Sequence, residues 1–171
     1  MSVNQKPAIH QLIMCVNVFI RKDGKYLMLK RSSGKTYAPD VVHPIGGKIE
    51  PDEAPFLAAQ REVLEEAGVK IKNMRLEAVV LELKPYKTTE GNWLIFHFTA
   101  DYDSGEIGMT DEGELVLLDA KDILDQKLFP SIGEIIGYIL NPNDGTVFAV
   151  FERDKEGNII QKTKRIDICS V

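Results

Sequence analysis

The chain has 171 residues, of which 44% are hydrophobic and 27% are charged, and its formal net charge is −5. This length suffices for one well-buried core and is short for two, so we expect a single domain over residues 1–171. The negative charge argues against binding to a nucleic acid polymer or to a membrane surface. No apolar run approaches the roughly 20 residues that a membrane helix needs, and the first residues lack the apolar stretch of a signal peptide.

The two cysteines, Cys15 and Cys169, stand far apart and form no metal-like or redox-like spacing. We therefore expect free, reduced thiols, which are typical of a cytoplasmic protein. The sequence leaves monomer and homodimer equally open.

Apolar alternation, turn residues and helix-end signals predict the elements in chain order. They are strands at 11–20 and 26–30 around a turn at 22–25, a helix at 55–67, strands at 75–85, 93–102 and 115–118, helices at 119–125 and 131–140, and a hairpin of 147–151 and 158–167. Asp119 is the expected cap of the second helix. Mixed strands with helices on both faces imply an α/β fold, namely an α/β/α sandwich around a mixed β-sheet.

The first predicted helix has clear end signals. Pro55 suits the first helical position, and Gly68 supplies the left-handed residue that often ends a helix. The heptad-spaced apolar residues predict a buried stripe, which we expect to contain Phe56, Leu57, Ala59, Val63 and Leu64.

Three glutamates crowd the end of this helix. Glu62 is three residues from Glu65 and four from Glu66, so like charges meet where the helix dipole favours cations. Arg61 can pair with Glu65, which leaves the other carboxylates uncompensated. A solvated acidic face is the simpler alternative, but a bound cation would relieve the repulsion. Oxygen ligands suit Mg²⁺, with Mn²⁺ as a substitute, and Mg²⁺ is commonly shared with substrate phosphates.

Residues 47–69, GKIEPDEAPFLAAQREVLEEAGV, resemble the Nudix box, Gly-x5-Glu-x7-Arg-Glu-hydrophobic-x-Glu-Glu-x-Gly-hydrophobic, at every defined position. The resemblance implies the Nudix fold, with this run as a catalytic loop-helix-loop, and a hydrolase of nucleoside diphosphates linked to another moiety. It further implies roles for the residues of the run. Glu62, Glu65, Glu66 and the carbonyl of Gly46 would hold Mg²⁺, Arg61 would orient the glutamates, and Glu53 would support the loop-helix junction.

A later acidic segment resembles the loop from which nucleotide-cleaving relatives reach the metal or the attacking water. Glu112 fits that place best because it precedes Gly113, and Glu114 is the rival. A solvated loop acid is the alternative for each. The resemblance leaves the general base open among Glu65, Glu112 and Glu114.

The late acidic loop and the C-terminal hairpin resemble the subgroup that hydrolyses oxidised purine nucleoside triphosphates of the 8-oxo-dGTP type. By that resemblance His43 would touch the base and Phe129 would stack on it. Separately, Arg31 and its neighbour Lys30 are candidates to approach the phosphates. A structural histidine, core packing and a solvated strand end are the respective alternatives. Ser131 and Ile132 stand where mammalian-type enzymes have two base-reading aspartates. His10, His97 and Trp93 are interpreted as structural residues.

The sequence thus predicts a Mg²⁺-dependent pyrophosphohydrolase that acts on a (d)NTP and serves nucleotide sanitation. Rival substrates are ADP-ribose, a nucleotide sugar and a dinucleoside polyphosphate. A regulator that senses a nucleotide without cleaving it is a different class, which the complete set of box carboxylates disfavours.

Overall fold

The computed structural model describes residues 12–34, 38–83, 91–141, 145–154, 156 and 158–168, with the backbone alone for 161, 162 and 165–168. The strands are β1 (Leu12–Lys22), β2 (Lys25–Arg31), β3 (Val42–His43), β4 (Val69–Leu83), β5 (Asn92–Gly105), β6 (Gly113–Leu118), β7 (Gly145–Arg153) and β8 (Ile159–Ile168). The helices are α1 (Pro55–Ala67), α2 (Ala120–Leu124) and α3 (Pro130–Leu140). His10, Cys169 and most of the loop before β5 lie outside the described residues. No helix among the described residues is both long and apolar enough to cross a membrane.

The strands form one mixed sheet in the order β3-β2-β1-β5-β4-β7-β8, and β6 pairs with β2. The β1–β5 and β4–β7 pairs are parallel, whereas the other pairs are antiparallel. Alternating side chains of each strand point to opposite faces, so the sheet has two apolar surfaces to cover. The predicted mixed sheet is confirmed.

Each face of the sheet has its own core. On one face Val16, Val18 and Ile20 of β1 pack with the small residues of α1. On the other face Phe19 packs with Phe151 and with the isoleucines of α2 and α3, Ile123, Ile132, Ile135, Ile136 and Ile139. Helices therefore cover both faces, and the predicted α/β/α sandwich is confirmed.

Helix α1 has the predicted ends but not the predicted buried stripe. It begins at Pro55 and ends at Gly68, whose φ of 70° is left-handed, and Ala54 makes no side-chain cap. The buried residues are Ala58, Ala59, Val63 and Ala67, whereas Phe56, Leu57 and Leu64 are 52%, 48% and 51% exposed. The predicted burial of those three was wrong because α1 lies close against the sheet through small side chains, which turns the larger ones outward.

A loop segment is wedged into the sheet and carries the glycine pair. β2 pairs with β1 only near their hairpin, and beyond it residues 42–49 lie between the two strands. Val18 N–H donates to the Ile45 carbonyl over 2.7 Å, and Val16 N–H donates to the Gly47 carbonyl over 2.9 Å. A Cβ on Gly46 would lie 2.0 Å from the Val16 carbonyl oxygen, so only glycine allows this approach.

Two further expectations need correction. β4 begins at Val69 instead of residue 75, because its pairing with β5 contains three register shifts that break the regular alternation. The side chain of Asp119 precedes α2 but makes no cap hydrogen bond, and Asp119 instead pairs with Lys25 at 3.5 Å.

The corrected face of α1 predicts opposite stability effects for two neighbouring residues. Val63→Ala should lower the free energy of unfolding by about 2 kcal/mol, because two fully buried methyl groups are lost and a cavity remains. Leu64→Ala should stay within about 0.5 kcal/mol, since its side chain is half exposed. Urea unfolding measures both, and equal losses would show that Leu64 is buried in solution.

Candidate active site

Arg61 on α1 connects the helix to the loop before it. Its Nε and Nη2 donate to both carboxylate oxygens of Glu53 at 2.9 Å, and its Nη1 donates to Glu62 at 2.9 Å and to Glu65 at 3.1 Å. Nη2 also donates to the Lys48 carbonyl at 3.0 Å. These hydrogen bonds raise the pKa of Arg61, with Glu53 as the largest contributor. The single guanidinium therefore holds three carboxylates, not one as the sequence indicated.

Two of the box glutamates face the glycine pair. A Cβ on Gly47 would lie 2.5 Å from a carboxylate oxygen of Glu62, so this carboxylate occupies the space that a larger residue would fill. The Gly46 N–H donates to Glu66 at 3.3 Å. Glu65 differs because its side chain is 59% exposed and lies with Arg61. The structure thus places Glu62 and Glu66 beside the glycines, whereas Glu65 lies further out, at the solvent-exposed rim of the glutamate cluster.

The electrostatics of these glutamates differ sharply. Burial raises the pKa of Glu66 to about 7, and the charges of Glu62 and Glu112 add to that rise against the Gly46 hydrogen bond. Burial also raises the pKa of Glu62, although Arg61 opposes it. The hydrogen bonds from Arg61 instead lower the pKa of Glu53. Glu62 and Glu66 are therefore the carboxylates that a further positive charge would stabilise most.

The donor set fits a cation shared with a substrate, not an enclosed metal. Among the described residues no group of three or more His, Cys, Asp or Glu side chains is arranged to hold a metal ion by itself. Mg²⁺ needs only one or two carboxylates when waters and phosphates complete its shell. Glu62 and Glu66, both with a raised pKa beside the glycine pair, offer that arrangement.

The structure separates the two candidates on the late acidic segment. Glu112 lies 3.5 Å from Arg31, and its charge acts on Glu66 and His43. Glu114 is exposed on β6 and pairs in register with Lys30, which is also exposed. Glu112 therefore lies near Glu66 and His43, whereas Glu114 lies in the pairing of β6 with β2.

A cavity of about 260 Å³ opens beside the glycine pair. It is lined by Cys15, Val16, Asn17, Arg31, His43, Gly46, Gly47, Lys48, Glu82, Trp93, Ile95, Phe129, Ser131, Ile132 and Arg153. Most of its floor continues the α3 face of the sheet. Asn17 alternates in β1 with Val16 and Val18, which pack against α1, and Glu82 follows Ala78 and Val80, which belong to the core under α3. The cavity thus joins the carboxylate region to a largely apolar recess under α3.

Three residues predicted to bind substrate line this cavity. His43 and Phe129 meet edge to face with ring centroids 5.8 Å apart, and Arg31 stands with them on the wall. The His43 Nδ1 lies 2.6 Å from the Pro44 carbonyl oxygen, and burial lowers the pKa of His43 to about 4. His43 is therefore a neutral ring whose Nδ1 donates to Pro44.

Sequence reasoning missed three other cavity residues. Glu82 and Arg153 form a buried ion pair at 3.0 Å, and Trp93, interpreted as structural, lies on the wall. The available signal was a charged residue directly after an apolar run, namely Glu82 after residues 78–81 in β4, and Glu152 with Arg153 after residues 147–151 in β7. Only the parallel β4–β7 pairing reveals that the two are partners. His97 is buried within β5 as expected and does not line the cavity.

Because the pKa of Glu66 is raised, the free energy of unfolding of the metal-free protein should depend on pH. Because the folded value lies above the ordinary one near 4.5, stability should fall as pH rises from about 4.5 to 7. In EDTA, Glu66→Gln should be more stable than the wild type by roughly 1–2 kcal/mol at pH 8 and about equally stable near pH 4. Urea unfolding at both pH values measures this, and a pH-independent difference would contradict it.

Comparisons with known proteins agree with this geometry. The NUDIX domain model matches residues 11–137, well over half of the chain. NAD-capped RNA hydrolase NudC of Klebsiella pneumoniae is 30% identical over 142 residues, which are 83% of this chain and 51% of that protein. NudC of Escherichia coli is 32% identical over 125 residues, which are 73% of this chain and 45% of that protein. The chain thus spans about half the length of the curated relatives it matches.

Among solved structures, a MutT protein from Bacillus halodurans superposes with a TM-score of 0.77 over 89% of this chain and 97% of that chain. Its sequence identity is 19%, so this likeness shows the fold alone. Together with the intact box and the site built on it, the family match confirms the resemblance found in the sequence: the chain belongs to the NUDIX domain family.

Proposed function

We propose that this chain is a Mg²⁺-dependent pyrophosphohydrolase that cleaves a (d)NTP in the cytoplasm to the monophosphate and pyrophosphate. The observation that carries the proposal is the position of Glu62 and Glu66. They stand beside Gly46 and Gly47, and these glycines line a cavity whose recess is largely aromatic and apolar. A nucleotide fits this arrangement if its polyphosphate lies at Glu62 and Glu66 and its base lies in the recess.

Glu62, Glu66 and the Gly46 carbonyl are the groups that we propose to hold Mg²⁺, with Glu65 as a further ligand at the rim. Bound Mg²⁺ would neutralise phosphate charge and acidify a water. The raised pKa values of Glu62 and Glu66 in the metal-free chain support this assignment, because burial penalises both charged carboxylates and a bound cation would offset that penalty.

Arg61 and Glu53 are proposed as positioning residues. Arg61 fixes Glu62 on one side and the Lys48 carbonyl on the other, so the helix and the glycine loop keep one relative placement. Glu53 accepts two hydrogen bonds from the Arg61 guanidinium, which fixes the orientation of the guanidinium plane. Neither residue needs to touch the substrate for this role.

Glu112 is the general base that the geometry favours. It stands close enough to Glu66 for its charge to raise the pKa of that residue, and Arg31 lies beside it. Glu65 is engaged by Arg61 and Glu114 is exposed elsewhere on β6. A carboxylate next to the reacting phosphate can accept the proton of the attacking water. Arg31 would then meet phosphate charge from the cavity wall.

His43 and Phe129 support a base in the recess, which agrees with a purine nucleotide such as 8-oxo-dGTP and with a role in nucleotide sanitation. The absence of aspartates at Ser131 and Ile132 means that other groups must read the base edge. Both relatives described above are named as NAD-capped RNA hydrolases, which favours NAD as a second candidate. NAD also contains the phosphoanhydride that this site would cleave.

A substrate screen tests the proposal. The protein with MgCl₂ is incubated with canonical and oxidised (d)NTPs, NAD, ADP-ribose, nucleotide sugars and dinucleoside polyphosphates, and the products are resolved by chromatography. Pyrophosphate plus a monophosphate from a triphosphate supports the proposal. AMP plus nicotinamide mononucleotide would favour the second candidate. Tight nucleotide binding without turnover would indicate a regulator.

Glu66→Gln should lower kcat/KM by about 10³-fold or more, since it removes a ligand for the cation that stabilises the transition state by several kcal/mol. The fold should survive, because the Gln side-chain oxygen can still accept the Gly46 N–H. Circular dichroism checks the fold, and thermal shift with MgCl₂ should show a smaller rise in Tm than in the wild type. A fully active variant would refute the assigned role.

Glu112→Gln should lower kcat by about 10²–10⁴-fold with little change in KM, because a general base is lost. Glu114→Gln is the matched control on the same segment and should remain within about twofold of the wild type. Initial rates at saturating MgCl₂ separate the two variants. A larger loss for Glu114→Gln would reverse the assignment.

A further inference from the structure

Buried polar atoms without partners gather at the cavity. Among the described residues, five buried side-chain nitrogen or oxygen atoms lack a hydrogen-bond partner. Four of them belong to residues that line the cavity, namely Arg31 Nε, His43 Nε2, Trp93 Nε1 and Arg153 Nε. Leaving such an atom unpaired is costly, so native structures nearly always pair it. Their concentration here indicates a ligand with several polar atoms.

These four atoms differ in whether they donate or accept a hydrogen bond. The nitrogens of Arg31, Trp93 and Arg153 are N–H donors only. His43 Nδ1 donates to the Pro44 carbonyl, so Nε2 of the neutral ring is an acceptor. The residues that line the cavity therefore carry three unpaired donors and one unpaired acceptor, so we expect a ligand that is rich in acceptor atoms.

The Glu82–Arg153 pair adds a donor and an acceptor side by side. Nη2 of Arg153 lies 3.0 Å from Glu82, and the side chains are only 8% and 4% exposed. Ser131, at the start of α3, lies 3.5 Å from the same Nη2. Because Nε of Arg153 has no partner, the guanidinium retains a hydrogen bond to give.

The pair lies at the end of the cavity away from the carboxylates of α1. Glu82 is on β4 and Arg153 on β7, and β7 is three strand positions from β1, where the glycine loop is attached. At about 4.8 Å per strand this separation is roughly 14 Å. A nucleotide with its phosphates at Glu62 and Glu66 therefore directs its base toward the pair.

We propose that Glu82 and Arg153 determine base specificity by binding a lactam edge, in which a ring carbonyl stands next to a ring N–H. Arg153 donates to the carbonyl oxygen while Glu82 accepts from the N–H. Guanine, hypoxanthine and uracil carry this edge, whereas adenine and cytosine present an amino group beside an unprotonated ring nitrogen. Trp93 and Phe129 line the recess that receives the ring. This inference rests on the proposed function for the placement of the phosphates.

Binding of nucleoside monophosphates in EDTA tests the inference apart from catalysis. GMP, IMP and UMP should each bind the wild type about ten- to hundredfold more tightly than AMP and CMP by titration calorimetry. Equal affinity for all five, or tighter binding of AMP or CMP, would overturn the inference. A protein that prefers GMP but hydrolyses no nucleotide would refute the proposed function and leave this inference standing.

Three variants assign the preference to the pair. Glu82→Gln should reduce the ratio of GMP to AMP affinity to about threefold or less. The Gln oxygen is expected to accept from Arg153, which leaves its NH2 donor facing the ring N–H. Glu77→Gln is the matched control, since Glu77 lies on the same strand, is as deeply buried as Glu82 and lies outside the cavity. It should retain the full ratio. Retention of the full ratio in Glu82→Gln would overturn the assignment.

A double exchange keeps the inference testable if Glu82→Gln fails to fold. Glu82→Arg combined with Arg153→Glu preserves the ion pair while interchanging donor and acceptor. The preference should then shift toward AMP by at least tenfold relative to the wild type. An unchanged preference for GMP in the folded double variant would show that other residues read the base.

Discussion

The ion pairs of Arg61 are the interaction on which the site depends. Three carboxylates and one backbone carbonyl surround a single guanidinium, and they come from both the loop and the helix. An arginine suits this position because its planar group donates in several fixed directions, which the ammonium of a lysine cannot do. The guanidinium compensates part of the like-charge repulsion on α1 and fixes where Glu62 stands. Glu66 makes no hydrogen bond to Arg61 among the described residues, and burial keeps its pKa raised.

The glycine pair supplies the second constraint, and it acts through backbone packing. Residues 42–49 enter the sheet beside β1, where the Val16 carbonyl leaves no room for a Cβ at Gly46 and the Glu62 carboxylate leaves none at Gly47. Gly46 is thus required by its contact with the sheet, and Gly47 by its contact with α1. Because one short loop contacts both elements, it fixes the position of α1 relative to the sheet.

Local signals in the sequence predicted the parts of the molecule that local chemistry determines. Pro55 and Gly68 gave the ends of α1, and the box gave the residues that gather around Arg61. The buried face of α1 was not predictable from spacing, because Phe56 and Leu64 satisfy the same periodicity as Val63 and only the closeness of the sheet decides between them. The start of β4 was missed since its register shifts remove the alternation that identifies a strand. The partnership of Glu82 with Arg153 depends on a contact between residues 71 positions apart, which no local pattern encodes.

The two cores of the sandwich have a consequence for how such proteins diversify. The acidic residues of α1 sit over one surface of the sheet, while most of the recess is formed by the opposite surface and by α3. Exchanges in the recess can therefore alter which compound is accepted without disturbing the hydrolytic machinery. Related proteins with the same box residues can therefore differ in substrate, so the box alone does not identify the substrate of each one.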